Sequence, residues 1–201
     1  MIATAQLPGF SGFGYPVFDA QLTFRAVMNA TANPGRIEEL SLVPDMPRLL
    51  AVSLAATALA LIDHDTPVFL DRAFASHQDI AASLSFHTGC RFIGDASRAA
   101  FALIGDPGNT IELSCFAQGT LEYPDRSTTL LLQVERLGTE AAMRLRGPGI
   151  PGFRTLSAAP LPSNFTHELR ANRERFPQGV DLLLCCGTRL VALPRSTRVE
   201  G

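Results

Sequence analysis

A chain of 201 residues, 46% hydrophobic and 18% charged, holds enough apolar material for one well-buried globular core and is far from the composition of a disordered chain. Its net charge of −2 offers no broad basic field to nucleic acid. All 17 basic residues are arginine, and the missing lysine excludes a Walker-type phosphate loop and any enzyme that anchors pyridoxal phosphate as a lysine Schiff base.

Residues 1–14 read as an irregular, Gly- and aromatic-rich arm, and 15–201 as a single domain. The opening MIATAQLPGF carries neither the basic stretch nor the apolar core of a secretory signal. In Phe18–Thr31, Phe18, Leu22, Phe24, Val27 and Met28 fall at near-helical spacing, which predicts an amphipathic helix stopped by Asn33-Pro34-Gly35. Arg36–Val43 alternates as a strand. Pro47 is suited to open a buried helix running to Ile62. The nearly apolar run Leu49–Ile62 is fourteen residues, too short to span a bilayer, so a cytoplasmic protein is expected.

The turn DHDT leads into the strand PVFLD. Ser76 is expected to cap a helix stopped at Gly89, CRFIG and AFALI to form short strands, and Asn109 to cap a helical turn IELSCF. STTLLLQVERL and AAMRLRG read as two strands joined through Gly138, followed by FRTLS. Ser163 opens a polar helix, and GVDLLLCCGTRLVALP is a hairpin signal around Gly187-Thr188. Helices alternating with strands early and hairpins late predict α/β layers around a mixed sheet.

Gly147-Pro148-Gly149-Ile150-Pro151-Gly152 spells the dinucleotide fingerprint G-x-G-x-x-G. That motif needs a helix starting on it, and none is credible before Ser163, so the segment reads as a glycine–proline turn. Four cysteines occur without a C-x-x-C, and Cys185-Cys186 lies in an apolar run where neighbours point to opposite faces of a strand. Two small core residues are the expected reading, with no metal site and no disulfide.

The densest polar cluster is Asp63-His64-Asp65-Thr66-Pro67. Two carboxylates and an imidazole suit metal or acid–base chemistry, but aspartates in a helix-to-strand turn more often bond their own backbone. His87 ends a helix, where an imidazole suits the dipole. His77 and His167 sit on polar faces, and Arg170, Arg173 and Arg175 are interleaved by Glu168 and Glu174. No nucleophile elbow and no Ser–His–Asp order is present.

Several segments in order, FRAVMNATANPGRI, DHDTPVFL, SLSFHTG, RLRGPGI and FPQGVDLLLCCGTRLVALPRSTRVE, resemble the PhnH family, the H subunit of the bacterial carbon–phosphorus lyase system for phosphonate degradation. The resemblance spans roughly Tyr15 to Glu200. It implies a three-layer α/β/α fold with a mixed sheet, similar to the large domain of pyridoxal-phosphate-dependent transferases but without the cofactor. It also implies a homodimer in isolation. In the core assembly it implies the G, I and J subunits as partners, mainly I, with no nucleic acid and no membrane. The assembly would form a ribose 1-(alkyl)phosphonate 5-triphosphate from MgATP, its substrate, and a phosphonate. Two readings of this chain's role remain open. One is an accessory subunit with no chemistry of its own and no bound cofactor. The other is a subunit with a nucleotide or phosphonate-intermediate site, for which Asp63, Asp65, His87, Arg146 and Arg195 are the candidate ligand-binding residues.

Overall fold

The computed structural model describes residues 9–109 and 112–200. The expectation for residues 1–8 of the arm lies outside the described residues. The rest of the arm is tied down where Gly12 forms an antiparallel bridge with Asp45.

The chain is α/β, built on a mixed seven-stranded sheet of order β1-β9-β8-β5-β4-β2-β3. Five strands run parallel: β2 (Pro67–Leu70), β3 (Arg91–Phe92), β4 (Phe101–Ile104), β5 (Thr129–Gln133) and β8 (Asp181–Cys186). The hairpin partner β9 (Arg189–Leu193) runs antiparallel to β8, and the two-residue edge strand β1 (Glu38–Glu39) pairs with β9. The parallel strands are short, almost continuous apolar runs, as strands covered on both faces must be. Their side chains alternate between two cores. Leu103, Leu131, Leu183 and Cys185 enter one, whereas Ala102, Leu130, Leu182, Leu184 and Cys186 enter the other.

The first core is closed by α1 (Pro16–Ala32), α2 (Val52–Leu61) and α4 (Gln78–Thr88). The second is closed by α5 (Phe165–Glu174) together with a three-stranded antiparallel sheet, β10 (Arg198–Glu200), β6 (Arg136–Arg146) and β7 (Arg154–Ala159). The chain does not leave the strand at Gly138: β6 continues through it, although its pairing with β7 is irregular between Gly138 and Met143. The chain changes sheets two residues after β5: Val134 N–H donates to Cys185 O in the large sheet, and Glu135 N–H to Ala159 O in the small one.

Helix boundaries also move. Pro47 lies in a turn and α2 starts at Val52, since the side chain of Gln133 takes the Ala51 N–H and the Leu49 carbonyl that an earlier start would need. Ser76 ends the short helix α3 (Arg72–Ala75) instead of capping α4, whose N-cap is His77. Gly89 stops α4 in the left-handed conformation (φ 72°), as a glycine at that position does. The strand expected over Arg36–Val43 contracts to β1. The turn near IELSCF is a 3-10 turn at Leu113–Cys115 with Glu112, not Asn109, at its N-cap.

The glycine-rich loop Gly147–Gly152 connects β6 to β7 and no helix follows it. Gly147, Gly149 and Gly152 all have positive φ, so it is a turn.

Candidate functional site

In an open parallel sheet, ligands gather outside the carboxyl ends of the strands, where successive connections leave in opposite directions. Here that point lies between β2 and β4. From β2 the chain goes through α3 and α4 to β3 on one side, and from β4 it goes through the Leu113–Cys115 turn to β5 on the other. The two connections also cover opposite faces: Ile80 and Leu84 of α4 pack in one core, Leu113 and Phe116 in the other.

A cleft of about 890 Å³ opens at this point, with Phe69, Asp71, Ile104, Asp106, Glu112, Cys115 and Phe116 in its lining. Asp71 fixes its geometry. One carboxylate oxygen accepts from Phe74 N–H (3.0 Å) and caps α3; the other accepts from Gly105 (2.9 Å) and Asp106 (3.0 Å), tying the end of β2 to the end of β4. Phe69 and Phe116 meet edge to face with centroids 6.1 Å apart and floor the cleft. On the wall, Asn109 donates to Asp106 (2.6 Å), and the Cys115 thiol donates to Glu112 (3.4 Å). That bond to a carboxylate, which favours the protonated thiol, pushes the Cys115 pKa up.

A second feature lies on α1. Its buried residues are the small or slender Thr23, Val27 and Ala30, which let the helix pack closely on α2 and β9. Of the predicted apolar stripe, only Val27 turns inward. Phe18 (68% exposed), Leu22, Phe24 and Met28 face solvent, joined by Tyr15 and Val17 (79%). The helix forms where it is expected, but its large apolar residues do not share one face, and the covered side is that of Thr23, Val27 and Ala30, because close helix approach favours small side chains over bulky ones.

The five residues singled out from the sequence are dispersed, and none lines the cleft. Asp63 and Asp65 precede β2, at the opposite end of that strand. Asp63 accepts from Thr66 Oγ1 (2.6 Å) and from Asp65 N–H (3.0 Å), a self-contained turn that holds its carboxyl below the usual carboxylate range. The exposed His64 faces Asp65 at 3.3 Å. His87, near the end of α4, bonds the carbonyl of Phe10 (3.0 Å) and packs against Gly12, so it fastens the arm. Arg146, on β6, pairs with Glu200 of β10 (2.8 Å). Arg195 embraces Asp181 through Nε (3.1 Å) and a terminal nitrogen. It also reaches the carbonyls of Pro124 and Pro177 and the hydroxyl of Ser127.

The cleft residues carry a signal in the sequence: the apolar strand runs PVFL and FALI each end against an aspartate, at Asp71 and, one glycine later, at Asp106. Local reading counts the first as strand and the second as turn. Only the parallel pairing of β2 with β4 brings them together. Among the described residues, no group of three or more His, Cys, Asp or Glu is placed to hold a metal ion. No helix there is long and apolar enough to cross a membrane.

The family model described as bacterial phosphonate metabolism protein (PhnH) matches residues 11–200. Over 198 residues, 98% of each chain, the sequence is 40% identical to the alpha-D-ribose 1-methylphosphonate 5-triphosphate synthase subunit PhnH of Rhizobium meliloti (strain 1021). Over 180 residues, 90% of this chain and 85% of the relative, it is 28% identical to the putative C-P lyase subunit protein HtxG of Stutzerimonas stutzeri.

Proposed function

The chain belongs to the PhnH family of bacterial phosphonate metabolism proteins, and we propose that it serves as an accessory subunit of a carbon–phosphorus lyase core complex. In this reading it supports formation of a ribose 1-(alkyl)phosphonate 5-triphosphate from MgATP and a phosphonate in the cytoplasm. The G, I and J subunits are its partners, mainly I, and alone it is a homodimer. It holds no cofactor of its own. The missing lysine supports this against pyridoxal phosphate, and the fold's kinship is proposed to lie with the large domain of the transferases that do use it, in a three-layer arrangement.

The observation that carries the accessory role is the outer face of α1. Phe18 and Leu22, with Tyr15 at the N-cap, lie along one flank of the helix, and Val17, Phe24 and Met28 along the other, so α1 exposes large apolar side chains on both sides of its outward face. Large apolar side chains exposed together on one element are a mark of a protein–protein contact.

The test is the double substitution Phe18→Glu and Leu22→Glu, read by light scattering after size exclusion, alone and with co-expressed G, I and J subunits. The expected result is a folded monomer, with unchanged melting temperature, that no longer co-elutes with its partners. Full assembly of that variant would overturn α1 as the docking face. Failure of the unmodified chain to co-elute would overturn the accessory role itself. Of the second reading, a nucleotide or phosphonate-intermediate site, the cleft at the ends of β2 and β4 favours the general part, a ligand site of the chain's own, and its lining sets three carboxylates against one arginine.

A further inference from the structure

We propose that the cleft over the ends of β2 and β4 binds a small organic cation with an apolar body, of the alkylammonium, arylammonium or amidinium class. The inference shares with the second reading a ligand site of the chain's own and departs from it in the charge of the ligand.

Its volume of about 890 Å³ lies within the ~300–1,000 Å³ of small-molecule sites. The floor of Phe69, Ile104 and Phe116 offers an apolar surface, and aromatic rings attract cations over their faces. The rim decides the charge. Among the described residues lining the cleft, Asp71, Asp106 and Glu112 stand against one guanidinium, that of Arg72.

Asp71 is fully engaged by three backbone N–H groups. Asp106 and Glu112 each use one oxygen, on Asn109 and Cys115; among the described residues the other oxygen of each accepts no hydrogen bond. Both side chains line a concave, apolar-floored site, which concentrates the field of their carboxylates. A phosphate or phosphonate there meets like charge and a single arginine. An organic cation meets two acceptors and buries its body on the rings. A divalent metal is not the natural occupant, since no group of three ligating side chains is assembled among the described residues.

Cys115 supplies a local readout, because it is exposed on the cleft wall while Cys90, Cys185 and Cys186 are buried. The native chain is alkylated with iodoacetamide at constant ionic strength in the presence of benzamidine, phenethylammonium, phenylacetate or inorganic phosphate. Melting temperature is followed in parallel. The expected result is that both cations slow Cys115 alkylation and raise the melting temperature with concentration, and that the anions do neither. Asp106→Asn, an isosteric change at an exposed position, is expected to weaken cation protection at least tenfold while melting at the wild-type temperature.

Protection by phenylacetate or phosphate equal to that by the cations overturns the charge assignment and leaves a ligand site of another kind. Protection that survives Asp106→Asn overturns the cleft as its location. Absence of protection and of thermal shift with both cations overturns the proposal. Co-elution of the α1 variant reports on the accessory role independently of all three.

Discussion

The guanidinium of Arg195 joins stretches of chain that share no secondary structure: the loop at Pro124–Ser127, Pro177, and Asp181 at the start of β8. The Arg195 backbone N–H also donates to Asp181 (2.8 Å), so the carboxylate is held on two sides. The Arg195 side chain is 13% exposed, and removing it strands a part-buried carboxylate and several carbonyls. Arg195→Ala is expected to cost about 3 kcal/mol, the range for breaking a buried pair, and to lower the melting temperature by ~6–12 °C. Arg195→Lys recovers only part, because an ammonium cannot reproduce a forked contact with a carboxylate and three further acceptors. Calorimetry on the two variants checks this; a melting point within a degree of wild type for Arg195→Ala would remove Arg195 as a structural lock.

At the scale of elements, the glycine-rich loop after β6 shows what spacing reveals and what it conceals. That it is no nucleotide fingerprint is legible in the sequence, since Pro148 and Pro151 occupy it and an extended run follows. The reason for its central glycine is not. Gly149 (φ 77°) lies against the carbonyl of Ala32 at the end of α1, so a side chain there meets backbone that cannot yield. Gly152 (φ 70°) has open space around it. Gly149→Ala is therefore expected to cost about 2–3 kcal/mol and Gly152→Ala about 1 kcal/mol, the left-handed penalty alone. Equal losses in urea melts of the two variants would contradict the close approach to α1. Elements with local causes were legible: α1 with its stop at Asn33-Pro34-Gly35, the Gly89 stop, the Gly187-Thr188 hairpin. The outward face of α1, the late start of α2 and the break between β5 and β6 were not, because each depends on a group distant in sequence, such as Gln133 reaching Leu49 and Ala51.

For the whole molecule, the governing fact is that the large sheet separates two cores, and the cleft forms where connections to the two sides part. That arrangement is invisible to local reading, since β2 and β4 become neighbours only after β3 is placed on the far side, and β10 pairs with β6 across some fifty residues. The adjacent Cys185 and Cys186 sit on opposite sides of this divide, one in each core. Burial pushes the Cys185 thiol up to about 12, and the Cys186 thiol donates to Glu135 O (3.2 Å) where the chain leaves one sheet for the other. Two neighbouring thiols thus act as clocks for the two halves of the molecule. If the halves open as one cooperative unit, pulsed labelling under mild denaturant modifies both at a single rate. If the small sheet and α5 peel away first, Cys186 is marked while its neighbour stays silent, and one peptide's mass spectrum records the order in which the molecule comes apart.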